Sequence, residues 1–205
     1  VQGVGGHLRG GCEINLNNAG TATRFLAAAA CLADAPVVID GSLRMRERPI
    51  GELVALLRQL GVRIDELGKP GCVPLRVHPC RPAASNGVLE VGVTQSSQYV
   101  SAVLLLAPWM ARGLEVRFTA PPTSSSYIDM TLRLLRQAGV RAVERDEKWQ
   151  RARVLHRTGG GGTELTGFSL DIESDASGAT YFWGAAAVVP GASARVKGLP
   201  EDSLQ

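Results

Sequence analysis

What the sequence has little of narrows its chemistry first. It has only three histidines and four cysteines, Cys12, Cys31, Cys72 and Cys80, with no Cys-x-x-Cys pair. Cys72, His78 and Cys80 lie close in sequence, but without such a pair or an evident fourth ligand they do not read as a zinc site, so no metal is expected. Four scattered thiols are no disulfide framework and imply a reducing cytosol. The longest apolar run, Ala27 to Leu32 with its flanks, falls far short of the ~20 residues of a membrane span, which excludes a membrane partner of that kind. An excess of charge of one sign is missing too. The net charge is +3 and the basic residues are scattered rather than interleaved with aromatics, so nucleic acid is not an expected partner. Gly159-Gly160-Gly161-Gly162 lacks the Lys-Ser/Thr and the strand-to-helix setting of a phosphate loop and reads as a flexible hairpin connection. The first residues, Val1-Gln2-Gly3-Val4-Gly5-Gly6, lack an initiator Met, match neither a signal nor a transit peptide, and read like the middle of a strand. Glu201-Asp202-Ser203-Leu204-Gln205 stops without a closing element. Both ends are expected to be cuts from a longer protein.

What is present is a core-forming composition and a repeat. The 205 residues are 45% hydrophobic, enough to bury a core in one or two domains. Asn18–Ala29, Ser96–Ala107 and Ser174–Ala185 align with a constant step of 78 residues, and Leu56–Arg63 keeps that step to Leu134–Arg141. A unit this long exceeds the roughly 20–50 residues of solenoid repeats. It reads as an α/β subdomain used again.

Within the unit, Asn18 is placed to cap a helix over Ala22 to Leu32. Pro36 ends that region, and Val37-Val38-Ile39-Asp40 reads as a buried strand. Pro49 suits a first helical turn, and Ile50, Leu53, Val54, Leu56, Leu57 and Leu60 trace one helical face up to the C-cap at Gly61. Strands are expected at Val62–Ile64, Val73–Val77 and Val88–Val93. In the second copy the order predicts a helix over Gln98–Ala107, a strand over Leu114–Phe118, a helix over Ile128–Ala138, and strands near Arg153–Leu155 and Phe168–Ile172. The third copy supplies one helix and a strand at Ala194–Lys197. The unit is βαβαββ or a permutation of it, with helices packed inside and sheets outside.

The starts of the repeated helices are polar and small. A helix N-terminus offers free N–H groups and a partial positive charge to an anion. Gly20 in Asn18-Ala19-Gly20-Thr21 lets an oxyanion come close to the backbone. Ser96-Ser97-Gln98 and Thr123-Ser124-Ser125-Ser126-Tyr127 add hydroxyls and an amide. Each cluster alone would be read as helix caps; three together favour an anionic small molecule. Arg44-Met45-Arg46-Glu47-Arg48-Pro49 brings three guanidinium groups before a helix start, suited to clamping carboxylate or phosphate, or alternatively to a solvated turn paired with Glu47.

Asn18-Ala19-Gly20-Thr21-Ala22-x-Arg24, Arg44-Met45-Arg46-Glu47-Arg48-Pro49-Ile50-Gly51, Ser96-Ser97-Gln98-Tyr99, Ser124-x-x-Tyr127-Ile128-Asp129-Met130-Thr131 and Asp175-Ala176-Ser177-x-Ala179-x-Tyr181-Phe182 together resemble the 5-enolpyruvylshikimate-3-phosphate (EPSP) synthase family, in order and spacing. The sister UDP-N-acetylglucosamine enolpyruvyl transferases share the fold but usually carry a Cys-bearing loop not found here. The resemblance implies an inside-out α/β barrel of two lobes, each of three βαβαββ units. Residues 1–171 would be the N-terminal-side lobe, its first repeat incomplete, and 172–205 the truncated start of the second lobe. It implies transfer of the enolpyruvyl group of phosphoenolpyruvate to the 5-hydroxyl of shikimate 3-phosphate, in aromatic amino acid biosynthesis, without cofactor. Gly20, Arg48 and Gln98 would contact phosphoenolpyruvate. Ser96, Ser97, Gln98, Ser124 and Tyr127 would hold shikimate 3-phosphate. Asn18, Arg24 and Asp175 would line the cleft, with Asp175 the candidate for a catalytic role and Glu173 beside it. Phe25 replaces a usual Pro, and Ser125-Ser126 a usual Lys-Pro type pair. The family's N-terminal lysine and its downstream carboxylates, arginines and lysine have no counterpart, so the chain is expected to be an incomplete part of the enzyme. The alternatives are a non-catalytic piece that only binds a phosphorylated ligand or a partner lobe, or a relative of the UDP-N-acetylglucosamine enolpyruvyl transferases.

Overall fold

The computed structural model describes residues 3–4, 7–83, 87–140, 143–155 and 168–205. Two compact units divide at Gly167 and Phe168. The first contains the six-element order twice: β1 (Cys12–Asn15), α1 (Gly20–Ala29), β2 (Val37–Asp40), α2 (Gly51–Gln59), β3 (Ile64–Glu66) and β4 (Leu75–Val77), then β5 (Val88–Val91), α3 (Ser97–Leu106), β6 (Leu114–Phe118), α4 (Ser125–Gln137), β7 (Val143–Arg145) and β8 (Arg151–Val154). The sheets have the same topology, β1-β2-β4-β3 and β5-β6-β8-β7. In each, the first pair is parallel and the other two pairs are antiparallel. The parallel pair requires a crossover, which α1 and α3 provide.

The first copy thus shows the same six elements, in the same order, as the second. Its opening strand β1 escapes sequence reading because only Ile14 is even half-buried, so no apolar alternation marks it. β7 was also missed, since Val143 is its one buried residue. The strand expected at Phe168–Ile172 is absent, as is that at Ala194–Lys197. Phe168, Leu170 and Ile172 alternate as a strand would, yet are exposed and have no ladder partner among the described residues. Alternation supplies a face, but a strand needs a neighbour for its N–H and C=O groups. The glycine run Gly159–Gly162 lies outside the described residues, as do Val1, Gln2, Gly5 and Gly6.

α3 sits at the centre of the helical layer and packs against α1, α2 and α4. Its sequence, Ser-Gln-Tyr-Val-Ser-Ala-Val-Leu-Leu-Leu, has no polar face, and buried positions run all around it. α2 and α4 are amphipathic, burying Leu53, Val54, Leu56 and Leu57 in one and Ile128, Thr131, Leu132 and Leu135 in the other. The sheets cover the helices with one face only. β8 alternates exposed and buried residues, and Ile39, Leu75, Val77, Leu89, Val116 and Val154 point into the core. Helices inside and sheets outside is the arrangement read from the sequence. Inside it, Ser101 and Thr131 share a buried hydroxyl–hydroxyl hydrogen bond of 2.7 Å that joins α3 to α4.

The end of β2 is pinned by charge. Asp40, almost fully buried, accepts a 2.9 Å hydrogen bond from Arg46 Nε and a second bond from Arg46 Nη2. These bonds hold the Asp40 carboxyl below its usual range. A depressed folded pKa means the contribution is fully present above the unfolded value of about 3.9 and is lost as pH falls through the lower folded one. Arg46 is half in solvent, so Asp40→Asn is expected to cost about 1–2 kcal/mol at pH 7. The difference should shrink below pH ~3.9, as urea unfolding of both proteins at pH 7 and pH 3 would read.

The second unit, Phe168–Gln205, is built on α5 (Ala176–Val188). Asp175 caps it by accepting a 2.9 Å bond from Ser177 N–H. Gln205 Oε1 accepts from Ala176 N–H, and Gln205 Nε2 donates to the Ser174 carbonyl. In this unit only Ala179 of α5 is buried, while Tyr181 and Phe182 are exposed. The N-caps of α1, α3 and α5 are Ala19, Ser96 and Asp175. The structural steps are thus 77 and 79, a one-residue slip either side of the aligned 78.

Candidate functional site

The site lies in the first unit, where the starts of α1 and α3 meet the loop before α2. Arg48 is extended, with φ −80° and ψ 131°. The cause is Pro49, whose ring disfavours the helical region for the residue before it. Extension ends the short 3-10 turn Met45–Glu47 and sends the guanidinium inward. It lies flat against Gly20. A Cβ added there would stand 2.6 Å from Arg48 Nη2 and 2.7 Å from Cζ and Nη1. Arg48 Nη1 donates to the Asn18 carbonyl at 3.2 Å.

The three arginines of this loop separate. Arg44 pairs with Glu47 at 2.7 Å on the exposed side, as the solvated-turn reading has it. Arg46 is spent on Asp40. Among the described residues Arg48, half-buried, has as side-chain partners only the Asn18 carbonyl and a long 4.0 Å contact to Met45 Sδ.

α1 and α3 are bridged by Arg24, Gln98 and Thr21. Arg24 is 7% exposed, and its Nη1 donates to Gln98 Oε1. Because Arg24 is donor only, it turns the amide oxygen of Gln98 toward itself. The amide nitrogen then points the other way and donates to Thr21 Oγ1 at 2.9 Å. Arg24 also covers the ring of Tyr99 with its Cζ 5.1 Å from the centroid. Its Nε is buried without a hydrogen-bond partner among the described residues.

Asn18 does not cap α1, contrary to expectation. The N-cap is Ala19, without a side-chain bond. The turn is closed earlier: Asn15 Oδ1 accepts from Asn17 N–H at 2.9 Å, and Asn17 takes the left-handed region at φ 51°. Asn18 is left exposed and contributes its carbonyl. Ser96 is a true cap, accepting from Gln98 N–H at 3.3 Å. Ser97 is buried next to it. Ser124 occupies the N-cap position of α4 in the left-handed region at φ 50°, makes no capping bond and is exposed. Thr123 Oγ1 donates to the Thr94 carbonyl at 2.8 Å, which ties the start of α4 to the segment entering α3. Tyr127 stands half in solvent on the first turn of α4.

Gly20, Arg24, Arg48, Gln98 and the Asn18 carbonyl are thus brought together directly, with Ser96 and Ser97 on the same helix start as Gln98. Asp175 and Glu173 belong to the second unit. Sequence reading missed Thr21, Tyr99 and Glu52. Thr21 lies inside the quoted motif and its hydroxyl was the signal. Tyr99 reads as a core aromatic, which it also is. Glu52 accepts from Gln95 N–H at 3.0 Å across the two repeats, a pairing no local pattern announces. Among the other polar residues, His78 binds Asp65 at 2.7 Å and Cys80 packs beside Cys31, where burial pushes the Cys31 thiol up. Cys72 is buried. No group of three metal-ligating side chains occurs among the described residues. No helix among them is long and apolar enough to cross a membrane.

A family model, EPSP synthase (3-phosphoshikimate 1-carboxyvinyltransferase), matches residues 1–205. The chain belongs to the EPSP synthase family. It is 38% identical over 211 residues to the 3-phosphoshikimate 1-carboxyvinyltransferase of Pectobacterium carotovorum subsp. carotovorum, covering 100% of this chain and 46% of that protein. It is 37% identical over 207 residues to that of Methanospirillum hungatei, with the same coverage. The chain spans just under half the length of these relatives. The solved EPSP synthase from Acinetobacter baumannii superposes with a TM-score of 0.66 at 23% identity, over 86% of this chain and 37% of that one. This likeness establishes the fold, with its βαβαββ units.

Proposed function

We propose that the protein to which this chain belongs transfers the enolpyruvyl group of phosphoenolpyruvate to the 5-hydroxyl of shikimate 3-phosphate and releases phosphate. The observation that carries this reading is the guanidinium of Arg48 laid on Gly20 beside Gln98, with no carboxylate partner among the described residues. A planar cation over a bare helix start is suited to a small phosphorylated carboxylate. The family membership supplies the reaction. In it the 5-hydroxyl gives up its proton to a base as its oxygen bonds to C2 of phosphoenolpyruvate, and C3 gains a proton from an acid. The C2–O bond to phosphate then breaks, and C3 loses a proton to restore the double bond. Arg48, Gln98 and the Gly20 backbone would hold phosphoenolpyruvate. Ser96, Ser97, Ser124 and Tyr127 would hold shikimate 3-phosphate, and Asn18 and Arg24 would shape the cleft. These groups bind and orient; the proton transfers are assigned to residues of the rest of the protein, with Asp175 the candidate on this chain. Residues 1–171 would form one lobe and 172–205 begin the other. The four free thiols support a cytoplasmic setting.

The test is phosphate release by the intact protein given both substrates. Release that requires shikimate 3-phosphate supports the proposal. Tight binding of either substrate with no release favours the non-catalytic reading. The 205-residue chain alone is expected to bind shikimate 3-phosphate weakly and to release no phosphate, because closure of a second lobe is what would exclude water and bring up acid and base groups.

The serines give a sharper test. Ser124 makes no capping bond, so Ser124→Ala should leave stability within ~0.5 kcal/mol while raising KM for shikimate 3-phosphate roughly tenfold. Ser96 caps α3, so Ser96→Ala should weaken both binding and stability, the latter by ~1 kcal/mol. An unchanged KM in Ser124→Ala removes that serine from the phosphate site.

A further inference from the structure

Tyr99 is 1% exposed, one of the largest fully buried side chains of the protein. A core aromatic needs only its ring, but this one spends its hydroxyl on a specific atom. Tyr99 OH donates to the Pro49 carbonyl at 2.9 Å. Pro49 is the residue after Arg48. Burial raises the Tyr99 pKa, with the Arg24 cation partly opposing it, so the phenol stays protonated and able to donate.

From this we infer that Tyr99 is a positioning residue: through its hydroxyl it holds Arg48 on Gly20, and through its ring it supports Arg24 beneath Gln98. The Pro49 ring fixes its own φ and forces Arg48 to be extended. Those constraints set the local shape of the segment but not where it sits. Among the described residues two bonds to distant elements hold its Pro49–Ile50 backbone, Tyr99 OH on the Pro49 carbonyl and the 2.8 Å bond from Ile50 N–H to the Gly71 carbonyl. Only the first comes from α3, the helix that also carries Gln98. One residue of α3 thereby fixes the distance between two groups on different elements. The ring does the second task, since the Arg24 guanidinium that orients the Gln98 amide lies over it. The consequence for substrate rests on the proposal that Arg48 and Gln98 hold phosphoenolpyruvate; the consequence for Arg48 itself does not.

The variant is Tyr99→Phe, which keeps the ring and its contact with Arg24 and removes only the hydroxyl. Two readouts on the intact protein separate the claims. The first is the rate at which a dicarbonyl reagent modifies Arg48, measured by peptide mass spectrometry relative to Arg76, exposed on β4. Freed of its anchor, Arg48 is expected to react about fivefold faster relative to Arg76, the population shift that accompanies loss of one net hydrogen bond. A merely structural role would lower the melting temperature without changing that ratio. An unchanged ratio overturns the inference, whether or not the protein turns over. The second readout is kinetic: KM for phosphoenolpyruvate should rise severalfold with KM for shikimate 3-phosphate unchanged. Equal rises in both would overturn the assignment to Arg48. Absence of turnover in the unaltered protein would overturn the proposed function and leave the first readout to decide the role of Tyr99.

Discussion

Arg48→Ala in the intact protein is expected to lower kcat/KM by roughly thirtyfold to a thousandfold, about 2–4 kcal/mol of transition-state stabilisation, with little loss of stability. The two halves of that expectation have separate grounds. Arg48 is a charged donor with five N–H groups, and the structure employs it on one carbonyl at 3.2 Å and a distant sulfur. Its remaining donors are available to a ligand, and losing them removes a charge-assisted clamp. Because it carries so little of the fold, the melting midpoint should move by no more than ~2–4 °C. Arg46, two residues earlier, is the matching control. It is bonded to the buried Asp40 at the end of β2, so Arg46→Ala should lower stability and leave kcat/KM near the unaltered value. If Arg48→Ala stays within threefold of the unaltered kcat/KM, Arg48 is not the arginine that holds substrate. Equal losses of activity from the two arginines would mean that the loop acts only through its overall shape.

The contrast between these arginines marks how far sequence reading reaches. Three guanidinium groups in five residues could be read either as a solvated run or as an anion clamp, and the structure sends the three to different partners. Arg44 is the solvated one, Arg46 is structural, and Arg48 faces the site. What separates them is Pro49, which ends the 3-10 turn and redirects the chain, together with the depth of Asp40 at the end of β2. The first is visible in sequence; the second needs the sheet. The same division holds for the fold. Leu114–Phe118 and Val37–Asp40 are found at their bounds because alternation and burial coincide there. β1 is not, because an edge strand that buries almost nothing leaves no periodic trace. Phe168–Ile172 has the trace and lacks the partner. The repeat was legible because helix starts and turn glycines recur, Gly61 and Gly139 at φ 81° and 87° closing α2 and α4. The one-residue slips were not, since small polar residues align almost equally well one position either way. Family motifs named most of the residues that meet at the starts of α1 and α3, but the links among them, Arg24 to Gln98 to Thr21 and Tyr99 to Pro49, span 50 to 77 residues of sequence and exist only in the folded chain.

Gly20→Ala is expected to move stability and binding in opposite directions. Gly20 opens α1 and has no left-handed φ to protect, so alanine is allowed by the backbone and should favour the helix by about 0.5–1 kcal/mol. Its methyl group, however, would stand 2.6 Å from Arg48 Nη2, well inside contact distance. The atoms it meets are the far end of a long side chain, so relief comes cheaply, by the guanidinium moving off the helix start. The fold tolerates that movement because, among the described residues, the Arg48 guanidinium bonds only the Asn18 carbonyl there. The site does not, because a displacement of ~1 Å in a substrate-holding group can cost about a hundredfold. KM for phosphoenolpyruvate is therefore expected to rise by about tenfold to a hundredfold. KM for shikimate 3-phosphate, whose proposed serines lie on α3 and α4, should change far less. The melting temperature should stay level or rise. Steady-state kinetics with each substrate varied in turn, beside a thermal melt, decides the matter. A large fall in melting temperature would show that the close approach of Arg48 to Gly20 serves the fold. A preserved KM for phosphoenolpyruvate would show that the bare helix start is not where that substrate sits.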